Sequence, residues 1–277
     1  MMANRILPLM IFLTLFTTVN AQPVLLKSSG AGKTFQLKIY YGTEGKGAFV
    51  QYVGQKSIIP LKLTSRKVQT PTKQEVVPSI VSYTWDELLN GKVNGSYGLT
   101  ENSDKVSKAW YKRKADGKQF QLTHSSEAQE LGADGYLLHG VMITFQHTMG
   151  DLLTFSYPNK GIKTHHLPDF DHPDPLRNAI IADYNFDGYD DVAFSIPDAG
   201  MGVYRTFSIF LYDPLSKRFQ ELAEPNDPKA SCSGLCDVTL DAKNKFLMTS
   251  CRGAAKWWGD VYRYTGGNKL KWLHTTP

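Results

Sequence analysis

Long hydrophobic runs, long amphipathic helices, cysteines and catalytic signatures are all scarce in this chain of 277 residues. Beyond residue 21 no stretch reaches the ~18 consecutive apolar residues of a membrane-spanning helix. No segment sustains the i, i+3, i+4 apolar spacing of an extended helix, which excludes a helical bundle. Gly-x-Ser-x-Gly, His-Glu-x-x-His and phosphate-binding glycine loops are absent, so acyl-transfer, zinc-protease and nucleotide chemistry lose their usual signatures. Glycosidase chemistry needs two carboxyl groups ~5 to 10 Å apart across a cleft. Glu87, Glu101 and Asp134 are eligible, but nothing in the sequence sets one opposite another. The expectation is a protein that is not an enzyme. No internal repeat of roughly 20 to 50 residues is found, which counts against a propeller of several similar units. Charge is nearly balanced, with 31 Lys and Arg against 26 Asp and Glu, a formal +5. This gives no support for nucleic-acid binding and is compatible with acidic polymers such as cell-wall glycans.

What is present begins with an export signal. MMANRILPLMIFLTLFTTVNA combines one Arg, an apolar run from Ile6 to Phe16 broken only by Pro8 and Thr14, and small or polar residues up to Ala21. Cleavage after Val19-Asn20-Ala21 gives a periplasmic or secreted chain of ~256 residues, enough for one large β domain or two small ones. No Cys follows the cut to carry a lipid. Export leads to an oxidising compartment, so the pairing of Cys232, Cys236 and Cys251 matters. If Ala242 to Lys245 forms a two-residue hairpin turn, Leu240 pairs with Leu247 and Cys236 falls opposite Cys251. That register predicts a Cys236–Cys251 disulfide, with Cys232 competing for either partner and one thiol left over.

Nearly every periodic segment has period two. Thr34 to Tyr41 alternates Phe35, Leu37 and Ile39 against Gln36, Lys38 and Tyr40. Similar runs occur over 48–53, 57–63, 95–99, 108–113 and 119–123, separated by turns rich in Gly, Asn, Asp and Lys. Thr84-Trp85-Asp86-Glu87 has the spacing of a capping box and predicts a turn or two of helix. A polar stretch between Thr123 and Gly135 marks a boundary. Beyond it, strands are expected over 136–148, 152–157, 179–182, 192–196, 203–212, 218–222, 238–240, 245–250, 260–264 and 270–274. Residues 159–175, rich in Pro, His and Asp, are excluded from a central strand and read as a connector. The fold class is all-β, mainly antiparallel, with an N-terminal β domain over 22–125 and a C-terminal one over 126–277.

The strongest chemical signal is DYNFDGYDDVAF, residues 183 to 194. Counting from Asp183, oxygen-bearing side chains fall at positions 1, 3, 5 and 9, with Gly188 at position 6, the spacing of an EF-hand calcium loop. Calcium takes six to eight hard oxygens. Asp183, Asn185 and Asp187 are expected to supply side chains, Tyr189 its carbonyl, and Asp191 the ninth position, directly or through water. Phe194 stands where an EF-hand has its bidentate Glu, so Asp190, water or a distant group must complete the shell. The flanks are β-like, which predicts a strand-loop-strand Ca2+ site that pins a loop. Residues 197 to 204, Pro-Asp-Ala-Gly-Met-Gly-Val-Tyr, form a second candidate surface. Gly200 and Gly202 let the chain project and offer Met201 and Tyr204 to a partner. His165, His166, Asp169, Asp171, His172 and Asp174 are zinc-capable, but adjacent histidines in an extended chain point apart, so a polar connector is expected. Of Trp257 and Trp258, one should be core and the other rim.

Residues 178 to 277 combine that loop with a glycine loop, VYRTFSIFLYDPLSKRFQEL, a cysteine-bearing hairpin and WGDVYRYTGGNKLKWL. The combination resembles the periplasmic calcium-binding immunity proteins that neutralise lysozyme-like effectors of bacterial type IV secretion. These are similar in fold to the periplasmic inhibitors of invertebrate-type lysozyme. The resemblance implies a compact β fold whose long loop is constrained by calcium and a disulfide. It implies a partner, a lysozyme-like peptidoglycan hydrolase whose cleft is blocked by an inserted loop. On this chain the ion ligands would be Asp183, Asn185, Asp187, Tyr189 and Asp191. The alternative expectation is a calcium-stabilised module that binds glycan such as peptidoglycan.

Overall fold

The computed structural model describes residues 23–29, 34–70, 79–102, 105–125, 134–148, 150–169, 176–198, 204–253 and 256–276. The expected export signal lies outside the described residues. Among them, regular structure is antiparallel strand apart from one 3-10 turn at Thr43–Gly45, and no helix is long and apolar enough to cross a membrane.

Eight strands form a closed up-and-down barrel: β1 Val24–Ser29, β2 Gln36–Tyr40, β3 Phe49–Tyr52, β4 Ile59–Gln69, β5 Ile80–Leu89, β6 Lys92–Asn102, β7 Lys105–Arg113 and β8 Gln119–His124. Pairing of β1 with β8, Leu26 opposite His124 and Ser29 opposite Gln121, closes it and leaves no free edge. β1 is a strand the sequence pattern did not single out. Alternate residues fill the interior, including Leu26, Leu37, Val50, Trp85, Tyr97 and Leu99.

The helix expected at Thr84 to Glu87 is instead the middle of β5, with Trp85 opposite Tyr97 of β6. Tyr83, Trp85 and Glu87 are its buried positions, and the polar one hides the alternation. The Glu87 carboxylate accepts hydrogen bonds from the Tyr97 hydroxyl at 2.8 Å and the Asn94 amide at 2.6 Å, so its burial is compensated. Trp85 is fully buried and donates its indole N–H to the Gly45 carbonyl at 2.8 Å. Burying that ring outweighs the ~1 kcal/mol a helix cap supplies.

Three four-stranded meanders follow. The first holds β9 Asp134–Leu138, β10 Val141–Phe145, β11 Leu152–Tyr157 and β12 Gly161–His166. The second holds β13 Asn178–Ala182, β14 Asp191–Pro197, β15 Arg205–Asp213 and β16 Arg218–Glu221. The third holds β17 Thr239–Asp241, β18 Phe246–Gly253, β19 Lys256–Tyr264 and β20 Leu270–Thr276. The run from Tyr136 to Thr148 is therefore a hairpin rather than one strand. His139 (φ 52) and Gly140 (φ 78) make its two-residue turn. Part of the expected connector becomes β12, an edge strand paired with β11 alone, where exposed polar residues are at home.

The middle meander is buried on both faces. Val192, Phe194, Phe210 and Tyr212 pack with Ile143 and Phe155 of the first meander. Ala193, Ile209 and Leu211 pack with Leu247 and Tyr262 of the third. Successive meanders thus stack face to face, as neighbouring propeller blades do, without any repeated sequence. The barrel joins this stack through its 3-10 turn: Leu137 N–H donates to the Gly47 carbonyl at 2.8 Å, and Ile181 N–H to Thr43 Oγ1 at 3.2 Å. A Cβ on Gly42 would sit 2.5 Å from Ile181 Cδ1 and 2.9 Å from Tyr136 Cε1, so a larger residue there would push both side chains aside.

Candidate functional site

The acidic loop joins β13 to β14. Its conformation follows from Asx side chains bonding to backbone ahead of them. Asp183 accepts the Asp187 N–H at 3.0 Å and the Gly188 N–H at 2.8 Å, one on each oxygen. Asn185 Oδ1 accepts the same Asp187 N–H at 3.1 Å, and Asp187 Oδ1 accepts the Tyr189 N–H at 2.9 Å. Phe186 (φ 62) and Gly188 (φ 91) supply the left-handed bends. Asp183, Asn185 and Asp187 are in this way drawn onto one short run of backbone amides.

Asp191 is placed differently. It opens β14, is fully buried, and accepts the Tyr184 N–H at 2.8 Å and the Tyr212 N–H at 2.7 Å. It therefore fastens the loop to β15. Burial pushes its carboxyl up to about 7, the two amide donors lower it, and the charges of Asp187 and Asp183 raise it further. The loop carries four carboxyl groups, Asp183, Asp187, Asp190 and Asp191. Lys46 binds Asp190 Oδ1 at 2.6 Å, and His139 donates from Nε2 to the Asp190 carbonyl at 2.7 Å. These two anchors come from 144 and 51 residues away, and no local sequence signal announces them. The Tyr189 ring is exposed and leans on His139. Among the described residues, no group of three or more His, Cys, Asp or Glu side chains is arranged as a metal cage.

Gly200, Met201 and Gly202 lie outside the described residues. Tyr204 closes the neck of their loop: its N–H donates to Asp198 Oδ1 at 3.1 Å and its carbonyl accepts the Asp198 N–H at 2.9 Å. Its side chain is half-buried against the cysteine cluster. The acidic loop and the Asp198–Tyr204 neck stand at opposite ends of β14. The seven residues of β14 set them ~23 Å apart.

The disulfide joins Cys232 to Cys251, with Cα atoms 5.5 Å apart, and Cys236 is the free thiol. The expected Cys236–Cys251 bond is corrected here. Leu240 does pair with Leu247. Asp237, however, takes a left-handed backbone (φ 39), and Ser250 N–H then bonds the Cys236 carbonyl at 2.9 Å, one residue off the extrapolated register. Cys236 is diverted into a bridge with Thr206. Cys232 is brought in by Asp260, a fully buried carboxylate that accepts the Ser231 N–H at 2.8 Å and the Cys232 N–H at 2.7 Å. The Cys236 thiol donates to the Ser233 carbonyl at 2.9 Å and is pushed up to about 11, chiefly by burial.

Trp257 is exposed, whereas Trp258 packs against the cysteines. His165 and His166 occupy adjacent positions of β12 and part company: His166 pairs with Asp151, and His165 sits against the rings of Phe155 and Phe210. Asp171, His172 and Asp174 lie outside the described residues. Comparison of the chain with protein-family models and with curated proteins gives no match.

Proposed function

We propose that this protein is an exported, calcium-binding inhibitor or immunity protein that blocks a lysozyme-like peptidoglycan hydrolase by loop insertion. The observation that carries the reading is the wiring of one hairpin. The Asx loop sits at one end of β14–β15, bonded to both strands through Asp191, and the neck closed by Asp198 and Tyr204 sits at the other. The ion would be held by Asp183, Asn185 and Asp187, with the Tyr189 carbonyl and Asp191 behind them. All these donors are oxygen, which suits a hard dication. The ion supplies fixed positive charge and rigidity, not reactivity. Because the two loops are a hairpin apart, calcium acts on the docking loop by stiffening β14 and β15. Gly200, Met201, Gly202 and Tyr204 are the residues assigned to the partner. The resemblance of residues 178–277 to calcium-binding immunity proteins points the same way.

The test is residual activity of a panel of muramidases and lysozyme-like effectors mixed with the protein in calcium buffer. Inhibition of one class near equimolar ratio supports the reading, and Met201→Ala with Tyr204→Ala should then relieve it. A second reading, a glycan-binding module, is favoured by the exposed rings of Trp257 and Tyr189. Retention on peptidoglycan, lost in Trp257→Ala, would bring it forward.

A further inference from the structure

At the end of the barrel where Phe35, Tyr52, Tyr111, Arg113, Lys118 and Phe120 lie there is a cavity of about 860 Å³. That volume lies within the ~300–1,000 Å³ common for small-ligand sites. Strand alternation dictates its lining. The inward face of β7 runs Ala109, Tyr111, Arg113, and that of β8 runs outward from Leu122 through Phe120 to Lys118. The same face that is apolar in the core therefore ends, at the mouth, in two cations.

Those cations border an aromatic wall. Phe35 lies 5.5 Å from Phe120 and 5.7 Å from Tyr52 between ring centroids, and Tyr111 lies 6.0 Å from Phe120. Lys118 Nζ is 5.0 Å and Arg113 Cζ 5.6 Å from the Phe120 centroid. Among the described residues, no carboxylate lines the cavity. Arg113 is engaged by Asp116, but no carboxylate among the described residues pairs with Lys118. The floor is polar and directional. Tyr97 donates its hydroxyl proton to Glu87, so at 3.1 Å it accepts from the Tyr52 hydroxyl, leaving the Tyr52 oxygen to accept from whatever lies above.

We propose that the barrel mouth binds a small organic anion with a flat, apolar body. The anionic group meets Lys118, the flat face lies along Phe120 and Phe35, and a donor on the body can reach Tyr52. This site stands apart from the hairpin loops, and its test does not depend on the inhibitory reading. The measurement is isothermal titration of the intact chain with 2-naphthoate, its neutral isostere 2-naphthamide, and the cation 2-naphthylmethylammonium. The naphthoate should bind about tenfold more tightly than the amide, the worth of one charge-assisted contact. Lys118→Gln should shrink that difference while sparing the amide, with Lys27 and Arg113 still at the mouth. Phe120→Ala should weaken both, with its melting curve as the control for folding. Lys118 lies on an exposed turn, so its substitution decides the matter even if Phe120→Ala unfolds. Equal affinities for acid and amide, preference for the cation, no binding by any of the three, or indifference to Lys118→Gln would each overturn the proposal.

Discussion

Removing Cys232 and, separately, Cys236 asks which of the two is joined to Cys251. The Cys232–Cys251 bond closes a loop with a sequence separation of 19. Loop-closure entropy for that length is about 11 cal/mol/K, or about 3 kcal/mol at 25 °C. In a protein of this size each kcal/mol moves Tm by about 2–4 °C, so Cys232→Ala should lower Tm by about 6–12 °C. Cys236→Ala removes a single buried hydrogen bond, to the Ser233 carbonyl, and should cost about 1 kcal/mol with the cross-link intact. Calorimetric melts of the wild type and both variants, with non-reducing peptide mapping, separate the two cases. A Cys236–Cys251 peptide from the wild type, or loss of the cross-link in Cys236→Ala, would refute the reasoning.

Asp260→Ala strips acceptors from Ser231 N–H, Cys232 N–H, the Trp272 indole and the Thr275 hydroxyl, and should destabilise by about 3–5 kcal/mol in urea unfolding. A loss below 1 kcal/mol would mean those donors find other partners. Gly98→Ala would bring a Cβ within 2.2 Å of the Trp110 ring and should cost about 1–3 kcal/mol by the same assay, whereas an unchanged midpoint would mean that the ring moves freely. Without calcium, Asp191 keeps its proton up to about pH 7 when folded but only to near the ordinary carboxylate value of 3.8 when unfolded. The folded state then binds more protons in that window, so stability should fall as pH rises from about 4 to 7, by up to about 4 kcal/mol. Calcium at a hundredfold excess over its Kd should add about 2.7 kcal/mol at neutral pH. Flat pH dependence in chelator, together with a Tm indifferent to calcium, would contradict the ion assignment.

Much of the fold was legible because half-buried strands write a period of two. The strand Gln36–Tyr40, within the alternating run Thr34 to Tyr41, and the Leu240–Leu247 hairpin register follow from alternation and turn chemistry alone. Failures occur where a tertiary partner replaces the expected residue type. Glu87 fills a buried strand position because Tyr97 and Asn94 satisfy it, so β5 imitated a helix start. β12 could be built from polar residues because an edge strand need bury only part of itself. The cysteine pairing turned on one left-handed residue, Asp237, and one distant carboxylate, Asp260, neither visible in a register count. In the acidic loop the local bonds among Asp183, Asn185 and Asp187 follow from their spacing. The support from Lys46 and His139 is long-range and belongs to the packing of the barrel and meanders.

The most direct test of the central proposal is the residual muramidase activity of a lysozyme and effector panel, titrated with the protein in saturating calcium and again in chelator. One class should be inhibited near equimolar ratio, with weaker inhibition in chelator and in Asp187→Ala. Full activity of every muramidase with calcium present would contradict the inhibitory reading and leave the acidic loop as a scaffold element.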